Sequence, residues 1–150
     1  MDRVVIYIDG SSQGNPGPSG VGIVVNNADG KELGIFSEFI GEKTNNQAEY
    51  IALLYAVEIV KVLNIIDAII YTDSELLSKQ ICGEYKVKND KIRYLIKKFF
   101  KMKEGLNVDV VFLGRDANKM ADVLAKDASF GLVRNTLSIK LSKILNRKGD

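Results

Sequence analysis

Four carboxylates stand where an α/β protein does its chemistry. Asp9 closes the apolar run "VVIYI", and Asp73 closes the run "DAIIYT". Glu49 falls in the early turns of a long helical pattern, "TNNQAEYIALLYAVEIVKVL", and Asp122 in the early turns of another, "NKMADVLAKDASF". In open α/β sheets, ligands bind beyond the carboxyl ends of the strands. With the first and fourth strands as parallel neighbours, Asp9 and Asp73 face each other, and the two helices can aim Glu49 and Asp122 at the same sheet edge. Four acids gathered without a basic partner repel one another. A divalent cation removes that cost, and oxygen donors without imidazole suit Mg²⁺ or Mn²⁺ and argue against zinc. One acid at a strand end is ordinarily a cap or a solvated residue; the set of four carries the reading.

Composition narrows the alternatives. The 150 residues favour one domain, and 46% hydrophobic content supplies a core. There is no histidine, so imidazole chemistry is excluded, and the single cysteine, Cys82, excludes an intramolecular disulfide framework and a cysteine zinc site. The first apolar run, Val4–Ile8, is too short for a signal sequence or a membrane span. The expectation is a soluble cytoplasmic protein that does not engage a membrane.

The elements that must position the acids read as follows. "VVIYI" is a central strand, and Gly10–Pro18 is a loop of nine residues, long for an ordinary hairpin. "GVGIVV" and "LGIFSEFI" are two more strands, with a turn at Asp29-Gly30 between them. The long helix takes Thr44 or Asn45 as its N-cap and presents a stripe of Ala48, Ile51, Ala52, Tyr55, Ala56, Ile59, Val60 and Leu63. After the fourth strand come a short helix, "SELLSKQI", and an amphipathic one with Ile92, Leu95, Ile96, Phe99 and Phe100 on one face. "LNVDVVFL" is the last strand. Beyond Phe130 the pattern weakens, although Leu137, Ile139, Leu141, Ile144 and Leu145 are spaced to pack on something. The order β-β-β-α-β-α-α-β-α gives a mixed α/β sheet flanked by helices.

"YIDGSSQGNPGPSGVG", "TNNQAEYIALLYA", "YTDSELL" and "NKMADVLAK", in this order and spacing, resemble type 1 ribonuclease H over about residues 3–130. The resemblance implies a ribonuclease H-like five-stranded mixed sheet, its first three strands antiparallel, and a catalytic domain at 1–130 followed by a tail at 131–150. It implies hydrolysis of the RNA strand of RNA–DNA hybrids by two Mg²⁺ ions, with Mn²⁺ a possible substitute, leaving 5′-phosphate and 3′-hydroxyl ends. Asp9, Glu49, Asp73 and Asp122 are the acids inside the four matching motifs and so take the metal-holding role. By the same resemblance Asp9 bridges both ions, Asp122 joins it where water is activated, and Glu49 and Asp73 join it where the 3′ oxygen leaves. Many relatives carry a histidine before the last acid; here the loop reads "LGRDANK", with Arg115 in its place. Arginine stays protonated, so it pairs with phosphate rather than shuttling a proton.

A hybrid is read by shape and by its 2′-hydroxyls. The bare loop with Gly10, Gly14 and Gly17 would let main chain at Gly10 and Ser11 approach the nucleic acid. Asn15, Asn46 and Gln47 are candidates for sugar and base-edge contacts, and Thr44 and Asn45 sit at a helix N-terminus suited to phosphate. Residues 86–103 hold eight Lys/Arg and one acid, +7 within a chain of net charge +2, which leaves the remainder at −5. Lys86 and Lys88 are the phosphate-contact candidates there. The chain lacks tryptophan, and "GEYKVKND" is similar to the compact members without a basic protrusion. The reading is a monomer with no obligate protein partner. Two alternatives stand beside it: a DNA-directed nuclease or resolvase of the same fold, and a non-catalytic hybrid-binding module.

Overall fold

Alternation in the first strand decides the layering. In β1 (Arg3–Ser12), Val4, Ile6 and Ile8 are fully buried while Arg3, Val5 and Tyr7 are only partly covered, so the two sheet faces meet different neighbours. The structure, a computed structural model, describes residues 2–137, 141 and 144. β1 pairs antiparallel with β2 (Gly17–Asn27), which pairs antiparallel with β3 (Glu32–Lys43). On its other side β1 pairs in parallel with β4 (Asp67–Thr72), and β4 with β5 (Asn107–Phe112). The sheet order is β3-β2-β1-β4-β5, a five-stranded mixed sheet with its first three strands antiparallel.

α1 (Asn45–Val62) buries residues all round: Tyr50, Leu53, Leu54 and Val57 are as covered as the expected stripe. The reason is a second layer. α3 (Asp90–Met102) packs on α1 through Ile92, Leu95 and Phe99, so α1 lies between the sheet and another helix and needs no polar face. Phe100, expected on that stripe, is 45% exposed; the buried face of α3 is narrower than the sequence pattern. α2 (Glu75–Ile81) is the short link after β4. α4 (Lys119–Ser129) lies against β2 and β1, where Gly20 and Gly22 leave room for its backbone; a Cβ at either would run into Ala125, Ala128 or Ala121.

Residues 134–136 run along the edge of β3. Ser37 N–H donates to Arg134 O (2.7 Å), Thr136 N–H to Ile35 O (2.9 Å) and Ile35 N–H to Thr136 Oγ1 (2.8 Å). Leu137 lies over Gly34, Leu141 packs partly buried against the core, and Ile144 is buried in it. Lys98 of α3 donates to Ile144 O. Ile139 and Leu145 lie outside the described residues. Among the described residues, no helix is long and apolar enough to cross a membrane.

The expected nine-residue loop at Gly10–Pro18 is mostly strand. Gly10, Ser11 and Ser12 pair with Val21, Gly20 and Ser19, leaving only Gln13–Pro16 between β1 and β2. Local composition argued for a loop, and ladder pairing overrode it. Of the three glycines there, only Gly14 has a positive φ, +103°. Gly10 serves packing: a Cβ would meet the main chain of Ala48 and Glu49, so glycine lets the start of α1 come down on the strand end.

Candidate active site

Asp9 sits one residue past the last β1–β4 pair, Ile8↔Thr72, and Asp73 one residue past the same pair on β4. Parallel pairing thus sets the two acids side by side. Asp73 is held in a tight link: Ser74 N–H donates to Thr72 Oγ1 (3.1 Å), and Ser74 Oγ caps α2 by accepting from Leu77 N–H (3.1 Å). Glu49 arrives from α1, whose start is fixed by a capping box. Thr44 Oγ1 accepts from Gln47 N–H (3.1 Å), and Gln47 Oε1 accepts from Thr44 N–H (2.8 Å). Carboxylate oxygens of Asp9, Glu49 and Asp73 all lie within 4.8 Å of one another.

Crowding shows in the protonation of Asp9 and Glu49. Asp9 is 5% exposed, and its carboxyl is pushed up to about 7, first by burial and then by Asp73 and Asp122, while its hydrogen bond with Glu49 offsets part of the rise. Glu49 is driven well above the ordinary range by burial and by Asp9. Gly10 N–H donates to Asp9 Oδ1 (2.9 Å) and also favours the charged form of Glu49. Glu49 Oε2 is buried with no protein partner. A set of hard oxygen donors whose charged forms burial disfavours, with one buried oxygen lacking a protein partner, fits a divalent metal.

Asp122 faces the trio from the first turn of α4 but is not bare. Lys126, one turn on, reaches Asp122 Oδ2 at 3.2 Å, so the expectation of acids without a basic partner is corrected. The i,i+4 spacing of Asp122 and Lys126 was the signal for it. Arg115, in the 3-10 turn Arg115–Ala117, lines the same cleft of about 490 Å³.

That cleft gathers Asp9, Glu49, Asp73, Asp122, Arg115, Gly10, Ser11, Asn15, Asn45 and Asn46. Ser74, Leu76 and Lys126 line it too and were not foreseen. Thr44 and Gln47 do not line it; each caps the other. Asn15 Oδ1 accepts from Asn45 N–H (3.0 Å), and Asn45 Oδ1 from Ser12 N–H (3.1 Å), tying the hairpin tip to the start of α1. Asn46 Oδ1 has no protein partner. Lys86 and Lys88 are exposed in the irregular segment between α2 and α3, outside the cleft.

Known proteins place this arrangement. Residues 7–128 match the family described as reverse transcriptase-like. Ribonuclease HI of Halobacterium salinarum is 35% identical over 127 residues, 84% of this chain and 64% of that protein. A bifunctional protein of Mycobacterium tuberculosis is 36% identical over 128 residues, so the chain spans 64% and 35% of these two relatives' lengths. The crystal structure of RNase H1 from Halobacterium salinarum NRC-1 superposes with a TM-score of 0.83 at 35% identity, covering 86% of this chain and 98% of that one. LC11-RNase H1, solved in complex with RNA/DNA hybrid, gives 0.80 at 36% identity over 85% of this chain and 97% of its own. With four motifs, sheet order and clustered acids in agreement, the chain belongs to the reverse transcriptase-like family and, within it, to type 1 ribonuclease H.

Proposed function

We propose that this chain is an endonuclease that hydrolyses the RNA strand of RNA–DNA hybrids and leaves 5′-phosphate and 3′-hydroxyl ends. The observation that carries the reading is the convergence of Asp9 and Asp73, just past the last pair of two parallel neighbouring strands, with Glu49 from α1. Similarity to LC11-RNase H1, solved with a hybrid, supports the substrate. Asp9, Glu49, Asp73 and Asp122 would hold two Mg²⁺ ions, with Mn²⁺ able to substitute. When bound, such ions neutralise charge on the phosphoryl oxygens and make water a better nucleophile.

The remaining work belongs to the chain's own groups. Arg115, permanently charged, pairs with a phosphate at the cleft and steadies it as product leaves. Gly10, Ser11, Asn15, Asn45 and Asn46 form the wall that meets sugars and their 2′-hydroxyls. Thr44 and Gln47 act by fixing the helix end that presents Asn45 and Asn46. Lys86 and Lys88 meet phosphates beyond the cleft. Residues 1–130 form the catalytic unit and 131–150 a tail; the protein works as a cytoplasmic monomer, which light scattering tests in its oligomeric part.

The deciding assay incubates a labelled RNA–DNA hybrid with Mg²⁺, with and without EDTA, beside an all-DNA duplex of the same sequence. Metal-dependent fragments of the RNA strand alone are expected. Cleavage of the all-DNA duplex would make it a DNA-directed nuclease. Hybrid bound but uncut in both Mg²⁺ and Mn²⁺ would make it a binding module.

A further inference from the structure

Asp122 rides in the first turn of α4, and a helix laid across a sheet needs something to fix where it starts. Asn118 is in that place. Its side chain is 2% exposed, and its Nδ2 donates to Ile8 O at 2.8 Å, one residue before Asp9. Its main-chain carbonyl accepts from Asp122 N–H at 3.2 Å. One residue therefore touches the strand end that presents Asp9 and the turn that presents Asp122. An asparagine at a helix start ordinarily caps through its side-chain oxygen. Here it makes no such bond, and Oδ1 is buried without a protein partner. The amide faces the strand because only an N–H can meet a carbonyl oxygen, and the helix-capping role is given up for that contact.

We propose that Asn118 is a positioning residue that sets the separation and orientation of the Asp9 and Asp122 carboxylates. The inference rests on reading those acids as metal ligands of a hybrid-cleaving enzyme. Asn118→Leu keeps the branching of the side chain and adds no charge; it is bulkier, and it leaves Ile8 O without its donor. Mn²⁺ binding is measured by titration calorimetry on parent and variant, hybrid cleavage is resolved into kcat and KM, and folding is followed by circular dichroism below the melting temperature of both.

Mn²⁺ affinity should fall roughly 10- to 100-fold and kcat by a similar factor, as is usual when the partner that orients a metal ligand is lost. KM should stay within about twofold, because the nucleic-acid wall of the cleft is untouched. A variant that melts earlier but binds Mn²⁺ and turns over like the parent would reduce Asn118 to a structural residue and overturn the proposal. If Asn118→Leu does not fold, Asn118→Ser carries the same comparison at low temperature. A parent that binds Mn²⁺ but cuts no hybrid would remove the nuclease reading alone, and the comparison of Mn²⁺ affinities would still decide the role of Asn118.

Discussion

Asp9, beside Glu49, sits where the electrostatics of the protein is most concentrated. Its pKa is raised in the folded state, so its contribution to stability is complete below the ordinary carboxylate range, near 4, and is lost as pH climbs through about 7. Without divalent metal, the melting temperature should fall between pH 5 and pH 8, and Mg²⁺ should restore most of it at pH 8 by taking the proton's place. Asp9→Asn should flatten that slope and abolish hydrolysis; a melting profile already flat in the parent would sink the account. Lys126 gives a second test. Its pair with Asp122 is largely exposed and is worth at most about 1 kcal/mol, so Lys126→Met should barely change stability. Rate plotted against Mg²⁺ concentration should shift to lower concentration, because an ammonium no longer competes for Asp122. Arg115→Ala should lower kcat more than it raises KM, with lysine restoring part of the loss; an alanine variant as fast as the parent would make Arg115 a solvated loop residue. At this scale the sequence was informative where chemistry follows from position along one element. The acids at strand ends and in the early turns of helices were visible, and so was Arg115. Asn118 was not, since its partner lies 110 residues away across the sheet.

Elements dock through absence of bulk as much as through apolar surface. Gly22 receives the backbone of α4 at Ala121 and Ala125, so Gly22→Ala should cost about 1–3 kcal/mol by overpacking and should lower kcat as Asp122 moves. Gly30 is the control: φ is +88° and no atom lies near a Cβ there, so Gly30→Ala should cost about 1–2 kcal/mol of backbone strain and leave kcat alone. Chemical denaturation with parallel kinetics separates the two. Thr44→Ala should cost roughly 1 kcal/mol through the lost capping box. Nearly every element could be placed from periodicity. The misplaced piece was the hairpin tip, where glycine, serine and proline read as loop although β2 supplies ladder partners up to Ser12↔Ser19. The breadth of burial on α1 was likewise invisible, because it depends on α3 arriving from the far side.

For the molecule as a whole, the segment at residues 131–137 is structural cover. It pairs with β3 through Arg134–Thr136 and so occupies an edge that would otherwise offer free hydrogen-bonding groups to a second chain. Ending the chain at Phe130 should lower the melting temperature by roughly 5–10 °C and promote association, while kcat at low temperature changes little because β3 is remote from the acids. Calorimetry and light scattering read the two effects. The spacing of Leu137, Leu141 and Ile144 hinted at packing, but their target was not legible, since β3 and α3 are distant in sequence. The central place of β1 also has a consequence during synthesis. The ribosome delivers the middle strand first. β2 and β3 follow and can zip onto one side, but the other side stays bare until β4 is made, and Asp122 emerges later still. At about 5–20 residues per second, that interval lasts on the order of ten seconds. A nascent chain thus carries a finished meander before Asp73 can join Asp9 and Glu49, and Asp122 completes the cluster only once α4 is made.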